Sequence, residues 1–143
     1  MATVGTLLPG AVALPLVEVR LTRAVALLWC EAVAVPFDHD RLHPSLAYHV
    51  AMEAVDYPSL FARLLVTARD RAVAGEISLD IHRAVEVDRD YLIRASVDPV
   101  EHKHGARSGP LEKLTVRSAV YSAGCEEPDF SVTATILVTR GAA

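Results

Sequence analysis

Two periodicities take turns along the chain. Residues 16–22, LVEVRLT, set Val17, Val19 and Leu21 against Glu18, Arg20 and Thr22. That period of two predicts a half-buried strand. Residues 23–35, RAVALLWCEAVAV, then change to helical spacing, with Thr22 placed to cap the helix and Pro36 to close it. This helix is apolar on most sides, which predicts deep packing. After a polar interval, residues 44–55, PSLAYHVAMEAV, resume a helical pattern with Pro44 in its first turn. A third helix is predicted from Asp56 or Tyr57 to Ala74. Its stripe is Leu60, Phe61, Leu64, Leu65 and Ala68, its polar side is Arg63, Arg69, Asp70 and Arg71, and Gly75 ends it.

From Glu76 onward the period returns to two. EISLDIHRAVEV alternates Ile77, Leu79 and Ile81 with Ser78, Asp80 and His82, and DYLIRASVDPV, LEKLTVRSAVYS and DFSVTATILVTR follow. The segments EHKHGARSGP and AGCEEPD between them are turn-rich. The order is therefore one strand, then helices, then four strands in a meander. This predicts an α+β domain in which a five-stranded antiparallel sheet buries one apolar face, with the 57–74 helix as its cover. A sheet wrapped around one long helix is the hot-dog architecture.

At 143 residues the chain reads as a single domain, 1–143, large enough to bury a core without staples. Apolar residues make up 52% and charged residues 22%. That leaning predicts extra apolar surface for a subunit interface or a greasy ligand channel. A net charge of -4 argues against non-specific nucleic-acid binding. Cys30 and Cys125 lie far apart with no metal spacing, and Cys30 follows Trp29 in an apolar run as a buried free thiol would. The first cation is Arg20 and Pro9-Gly10 interrupts the early apolar stretch, so no signal peptide is read. The run from Ala24 to Phe37 is broken by Glu31 and is too short to span a bilayer. These features predict a cytoplasmic protein with no membrane or nucleic-acid partner.

One stretch does not look like scaffold. PFDHDRLHPSLAY, residues 36–48, packs Asp38, His39, Asp40, Arg41 and His43 into six consecutive positions between two apolar helical segments. Such a cluster is either a solvated loop or an acid and an imidazole placed for proton transfer. His39 and His43 are four apart, but no third ligand has metal spacing and there is no His-Glu-x-x-His, so no metal is assigned.

The cluster and the order of elements together resemble the MaoC-like dehydratases, the (R)-specific enoyl-thioester hydratases of hot-dog fold. Asp38-His39-Asp40-Arg41-Leu42-His43 is similar to that family's Asp-x-Asn-Pro-Leu/Ile-His. The Asp and His keep its spacing and Leu42 keeps its place. HKHGARSGPLEKLTV and FSVTATILVTRG resemble its hairpin and last strand, and Tyr57-Pro58-Ser59-Leu60 resembles the start of its main helix. The chain departs at Phe37, where the family has Gly, at Asp40 for its Asn, at Arg41 for its Pro, and in a shorter segment after His43.

The resemblance implies interconversion of (R)-3-hydroxyacyl and 2-enoyl thioesters, carried by coenzyme A or an acyl-carrier protein, with no cofactor. Asp38 would orient and deprotonate a water and His43 would share its protons. Asp40 is a secondary acid near the first. Because Pro58 has no N–H, the backbone N–H groups of Ser59 and Leu60 become the candidates to face the thioester oxygen. Lys103 and Arg107, in a basic hairpin with His102 and His104, are either exposed loop residues or contacts for phosphopantetheine or coenzyme A phosphates. Arg69 and Arg71 could serve likewise or favour a helix C-terminus. His49 reads as a satisfied helix histidine, His82 as solvated, and Ser108-Gly109 as a turn and not a nucleophile elbow. Two rival readings are a hot-dog thioesterase, in which Asp56 or Glu53 matters more than His43, and an acyl-binding subunit paired with a catalytic partner. A homo- or heterodimer joined edge to edge is expected.

Overall fold

The computed structural model describes residues 10–107 and 109–141. The start of the chain and Ser108 of the expected turn lie outside them.

Thr22 caps the first helix as its position predicts, its hydroxyl accepting the Val25 N–H at 3.2 Å. Helix α1 runs Arg23–Ala32, and Ala34 takes a left-handed φ of 57° before Pro36. The expected deep packing is not found. Only Ala26 and Cys30 are buried, Leu28 is 65% exposed, and Val25, Leu27 and Val33 are open. Helix α2, Ser45–Ala51, is the one that enters the core, burying Leu46, Ala47, Val50 and Ala51. A 3-10 turn, Met52–Ala54, leads from it to helix α3, Tyr57–Arg63.

The sheet has seven antiparallel strands: β1 Val12–Ala13, β2 Val17–Arg20, β3 Arg71–Ile81, β4 Asp90–Val97, β5 Glu101–Gly105, β6 Gly109–Ser122 and β7 Phe130–Thr139. They occupy five places. Strand β4 gives one edge to β6, so β1 and β2 share its other edge, split near Pro15, which has no N–H for a ladder. Strand β6 gives one edge to β7, so β4 and β5 share the other. The expected five-stranded width is therefore real, with two short strands added. The expected meander is only partial, because β3 lies beyond β7 at the far edge. The chain between β3 and β4 must cross three strand spacings, roughly 14 Å. Residues 82–89 reach that distance easily. The crossing is pinned at Asp129. Its carbonyl accepts the N–H groups of His82 and Arg83. Its fully buried carboxylate takes the Ser122 hydroxyl and lies 3.7 and 3.9 Å from Arg83 and Arg89.

The long third helix is the main correction. Helix α3 has seven residues, and residues 71–74, expected to be helical, open strand β3. Leu65 adopts a left-handed φ of 58°, and Asp70 folds back to accept the Thr67 N–H at 2.8 Å. Arg140, from the far end of the chain, closes the helix. Its guanidinium donates to the carbonyls of Leu64 (2.9 Å) and Leu65 (3.0 Å), to Asp70 and to both carboxylate oxygens of Glu112. Strand β7 then claims β3 from Arg71↔Thr139 to Ile81↔Phe130. Arg69 and Arg71 thus border a strand and not a helix C-terminus.

The cover of the sheet is accordingly α2. Ala72, Ala74, Ile77, Leu79 and Ile81 stand opposite Val138, Ile136, Ala134, Val132 and Phe130, which are the buried positions of β7, so they share the core face. Yet all eleven residues of β3 are exposed, because no helix extends that far. No helix among the described residues is long and apolar enough to cross a membrane.

Candidate functional site

The segment between α1 and α2 hangs between two apolar anchors. Leu42 is buried, and Phe37 packs against the core beneath the Arg23 guanidinium, which sits 5.3 Å from its ring centroid. Between them the loop closes on Asp38. Its Oδ1 accepts the Asp40 N–H at 3.0 Å and its carbonyl accepts the Arg41 N–H at 3.1 Å. This turn, closed by the side chain of Asp38, leaves Asp38, His39, Asp40 and His43 exposed.

His43 is held from the other side. Its Nδ1 lies 2.8 Å from Ser45 Oγ and accepts the Ser45 backbone N–H at 3.2 Å. Trp29 of α1 donates its indole N–H to the same Oγ at 2.8 Å. The Trp29 ring stacks on His49, centroids 4.8 Å apart, and His49 Nε2 lies 3.6 Å from Glu53. His49 is thus a satisfied helix histidine, as read. Asp38 and His43 sit on one short loop but make no hydrogen bond or ion pair with each other. Neither Ser45 nor Trp29 stood out in the sequence. The only signal was a hydroxyl at the first helical position and an indole one helix earlier, each common for structural reasons.

The Ser59 and Leu60 N–H groups are not free. Asp56 caps α3, its Oδ1 accepting the Ser59 N–H at 3.3 Å, its Oδ2 the Ser59 hydroxyl at 2.7 Å, and its carbonyl the Leu60 N–H at 2.9 Å. The Ser59 hydroxyl and N–H hold the Asp56 carboxyl below its ordinary range. Lys103 lies on β5 with its ammonium 3.7 Å from Glu101, and Arg107 is exposed in the turn that follows. Among the described residues no three His, Cys, Asp or Glu side chains are grouped to hold a metal.

The early end of α3 opens a feature that the sequence pattern hid. An apolar groove of about 230 Å³ lies between Tyr48, Tyr57 and Phe61 on the helices and Val73, Ile77 and Ile136 on the sheet. Burial raises the Tyr57 phenol above its usual value, and its hydroxyl reaches Met52 Sδ at 3.5 Å. None of Asp38, Asp40, His43, Ser59 or Leu60 lines the groove.

No family model and no curated protein matches the sequence. Solved structures do match the fold. The C-terminally truncated HadBC (3R-hydroxyacyl-ACP dehydratase) complex from Mycobacterium tuberculosis is 14% identical, with a TM-score of 0.64 over 89% of this chain and 93% of that one. The ChsH1–ChsH2 complex from the same organism is 15% identical, with a TM-score of 0.64 over 93% and 90%. A 1,4-dihydroxy-2-naphthoyl-CoA thioesterase from Synechocystis is 10% identical, with a TM-score of 0.58 over 93% and 88%. Identities this low speak for backbone and not for chemistry. Together with a core helix packed against an antiparallel sheet, they establish that this chain has the hot-dog fold.

Proposed function

We propose that the protein is a hydro-lyase of the MaoC-like kind, interconverting (R)-3-hydroxyacyl and 2-enoyl thioesters through Asp38, His43 and one water. The observation that carries this reading is the loop itself. It presents a carboxylate and an imidazole to solvent, yet is anchored at both ends by core residues and held by directed hydrogen bonds. A merely solvated loop has no need of a histidine pinned on one ring nitrogen. Hydration adds the water oxygen to C3 and a proton to C2, and dehydration reverses both, so one acid–base pair serves either direction. An acyl chain requires an apolar groove, and one lies beside Tyr57 and Phe61, separate from the Asp38–His43 loop. Asp56 is a poor alternative base for thioester hydrolysis, since the α3 cap holds its carboxyl in the ionised, weakly basic form.

The functional unit in this reading is a dimer. Strand β3 ends the sheet with eleven residues of unpaired edge, flanked by exposed Val73, Ile77, Leu79 and Ile81. Two of the structures with this fold, HadBC and ChsH1–ChsH2, are themselves complexes of two named chains. A second copy or a homologous partner along β3 would pair that edge.

The test is loss of the conjugated enoyl chromophore on a panel of coenzyme A and carrier-protein thioesters. Asp38→Asn and His43→Ala should each lower turnover by about two to four orders of magnitude. The double variant should be little worse than the worse single one, since groups acting as a unit are not additive. Asp40→Asn should keep most activity. A wild type inactive on every thioester, alone and with co-purified partner, or a fully active His43→Ala, would end the hydratase reading.

A further inference from the structure

We infer that Ser45, braced by Trp29, is a positioning residue that fixes His43 as its Nε2–H tautomer, leaving proton acceptance to Asp38 alone. The inference rests on the proposed role of the Asp38–His43 loop and assigns distinct roles within it.

The donors decide the protons. An indole N–H can only donate, so Ser45 Oγ is the acceptor of its 2.8 Å bond from Trp29. A backbone N–H can likewise only donate, so Nδ1 of His43 is the acceptor of its 3.2 Å bond from Ser45. The Ser45 hydroxyl hydrogen is then free to point at Nδ1 as well, 2.8 Å away. With two donors converging on Nδ1, the neutral ring carries its proton on Nε2. The other tautomer would set Nδ1–H against the Ser45 N–H, donor facing donor.

The brace is rigid because of where Ser45 sits. It is the first residue of α2, whose N–H has no partner within the helix, so bonding to His43 also satisfies a helix end. The next turn is locked by buried Leu46, Ala47 and Val50. Trp29 is held in turn by its stack on His49.

The consequence is an ordered pair. His43 offers a hydrogen-bond donor, Nε2–H, and no lone pair. Asp38 has Oδ1 engaged by the Asp40 N–H, and Oδ2 makes no hydrogen bond among the described residues. In the dehydration direction Asp38 takes the C2 proton as the C2–H bond breaks. It returns that same proton to the departing C3 hydroxyl, which leaves as water while His43 Nε2–H holds its oxygen. Hydration runs the same steps backwards, and no proton rests on His43.

The experiment uses the full chain labelled with ¹⁵N-histidine. Long-range ¹H–¹⁵N correlation reports the protonation of each ring nitrogen, and the His43 signal is assigned by its loss in His43→Gln. At neutral pH the wild type should show Nδ1 bare and Nε2 protonated. Ser45→Ala keeps the backbone N–H on Nδ1 but removes the hydroxyl donor and the link to Trp29, so it should admit a minor Nδ1–H population and lower kcat on a 2-enoyl thioester by about ten- to a hundredfold with KM little changed. Ser45→Thr, which keeps the hydroxyl, should recover the wild-type ring and most of the turnover. A wild-type ring protonated on Nδ1, or a Ser45→Ala protein with tautomer and kcat both unchanged, overturns the inference. A wild type with the expected ring, altered in Ser45→Ala, but with no thioester turnover supports the positioning role and overturns only the proposed reaction.

Discussion

Removing Arg140 should unfasten the turn that ends α3. The guanidinium has five N–H donors, and the structure gives all five a partner: Leu64 O, Leu65 O, Asp70 and the two oxygens of Glu112. The size of the loss follows from burial. Asp70 is 8%, Glu112 22% and Arg140 35% exposed. An exposed ion pair contributes ~0–1 kcal/mol, and breaking a buried one costs ~3–5 kcal/mol. This cluster lies between those limits, and Asp70 keeps its bonds from the Thr67 and Gly141 N–H groups. Arg140→Ala should therefore cost about 2 kcal/mol, lowering Tm by about 4–8 °C for a domain of this size. Arg140→Lys should recover less than half of that, because an ammonium keeps the charge but cannot fork to Glu112 while reaching two carbonyls. Urea unfolding followed by circular dichroism measures the total. Amide exchange locates it: residues 57–70 should exchange faster in Arg140→Ala, while Val116 and Val120 in the sheet centre should change only with global stability. A loss below about 0.5 kcal/mol, or an Arg140→Lys protein as stable as wild type, would refute the idea that this fork stops the helix.

Acid should attack the same turn. Bonds from the Thr67 and Gly141 N–H groups, then Arg140, hold the Asp70 carboxyl at about 2 against an ordinary 3.8, and Arg140 also lowers Glu112. Since the folded value is the lower one, the unfolded chain binds more protons, so this stability is complete above 3.8 and fades as pH falls toward about 2. Asp70→Asn should flatten that limb of a stability-versus-pH curve, and an unchanged limb would count against it. Gly75 sits at the bulge of β3, where an added Cβ would lie 2.7 Å from Thr135 Oγ1, the atom that accepts the Glu76 N–H. Gly75→Ala should cost about 1–2 kcal/mol in urea melts, and less when combined with Thr135→Ala than the two single losses summed. For the proposed dimer, sedimentation at micromolar concentration should find two chains together, and Ile77→Lys should weaken them at least about tenfold by placing a charge beside the shared edge. A stable monomer with no co-purifying partner would remove that assembly.

Much of this architecture is local and was legible before folding was considered. Thr22 before an apolar helix is a cap anywhere, and the structure uses it so. The alternation in residues 130–139 returns as strict inside–outside burial along β7, because a strand's side chains have no other geometry. Leu42 and Phe37 are apolar residues bracketing the polar cluster, and the structure ties the loop down at both. What sequence alone could not decide is where distant chain competes with local preference. Residues 64–74 have a helical stripe, but Arg140 satisfies the carbonyls that would have continued the helix, and β7 offers a full ladder to residues from Arg71 onward. Both partners lie some seventy residues away, so no window of local pattern contains them. The same holds at the site. Asp56 claims the N–H groups that the helix start seemed to offer, and Ser45 meets His43 beneath an indole from another helix. Residue types and spacing proposed a carboxylate and an imidazole, but only packing determines which nitrogen of that imidazole faces the protein and which faces solvent.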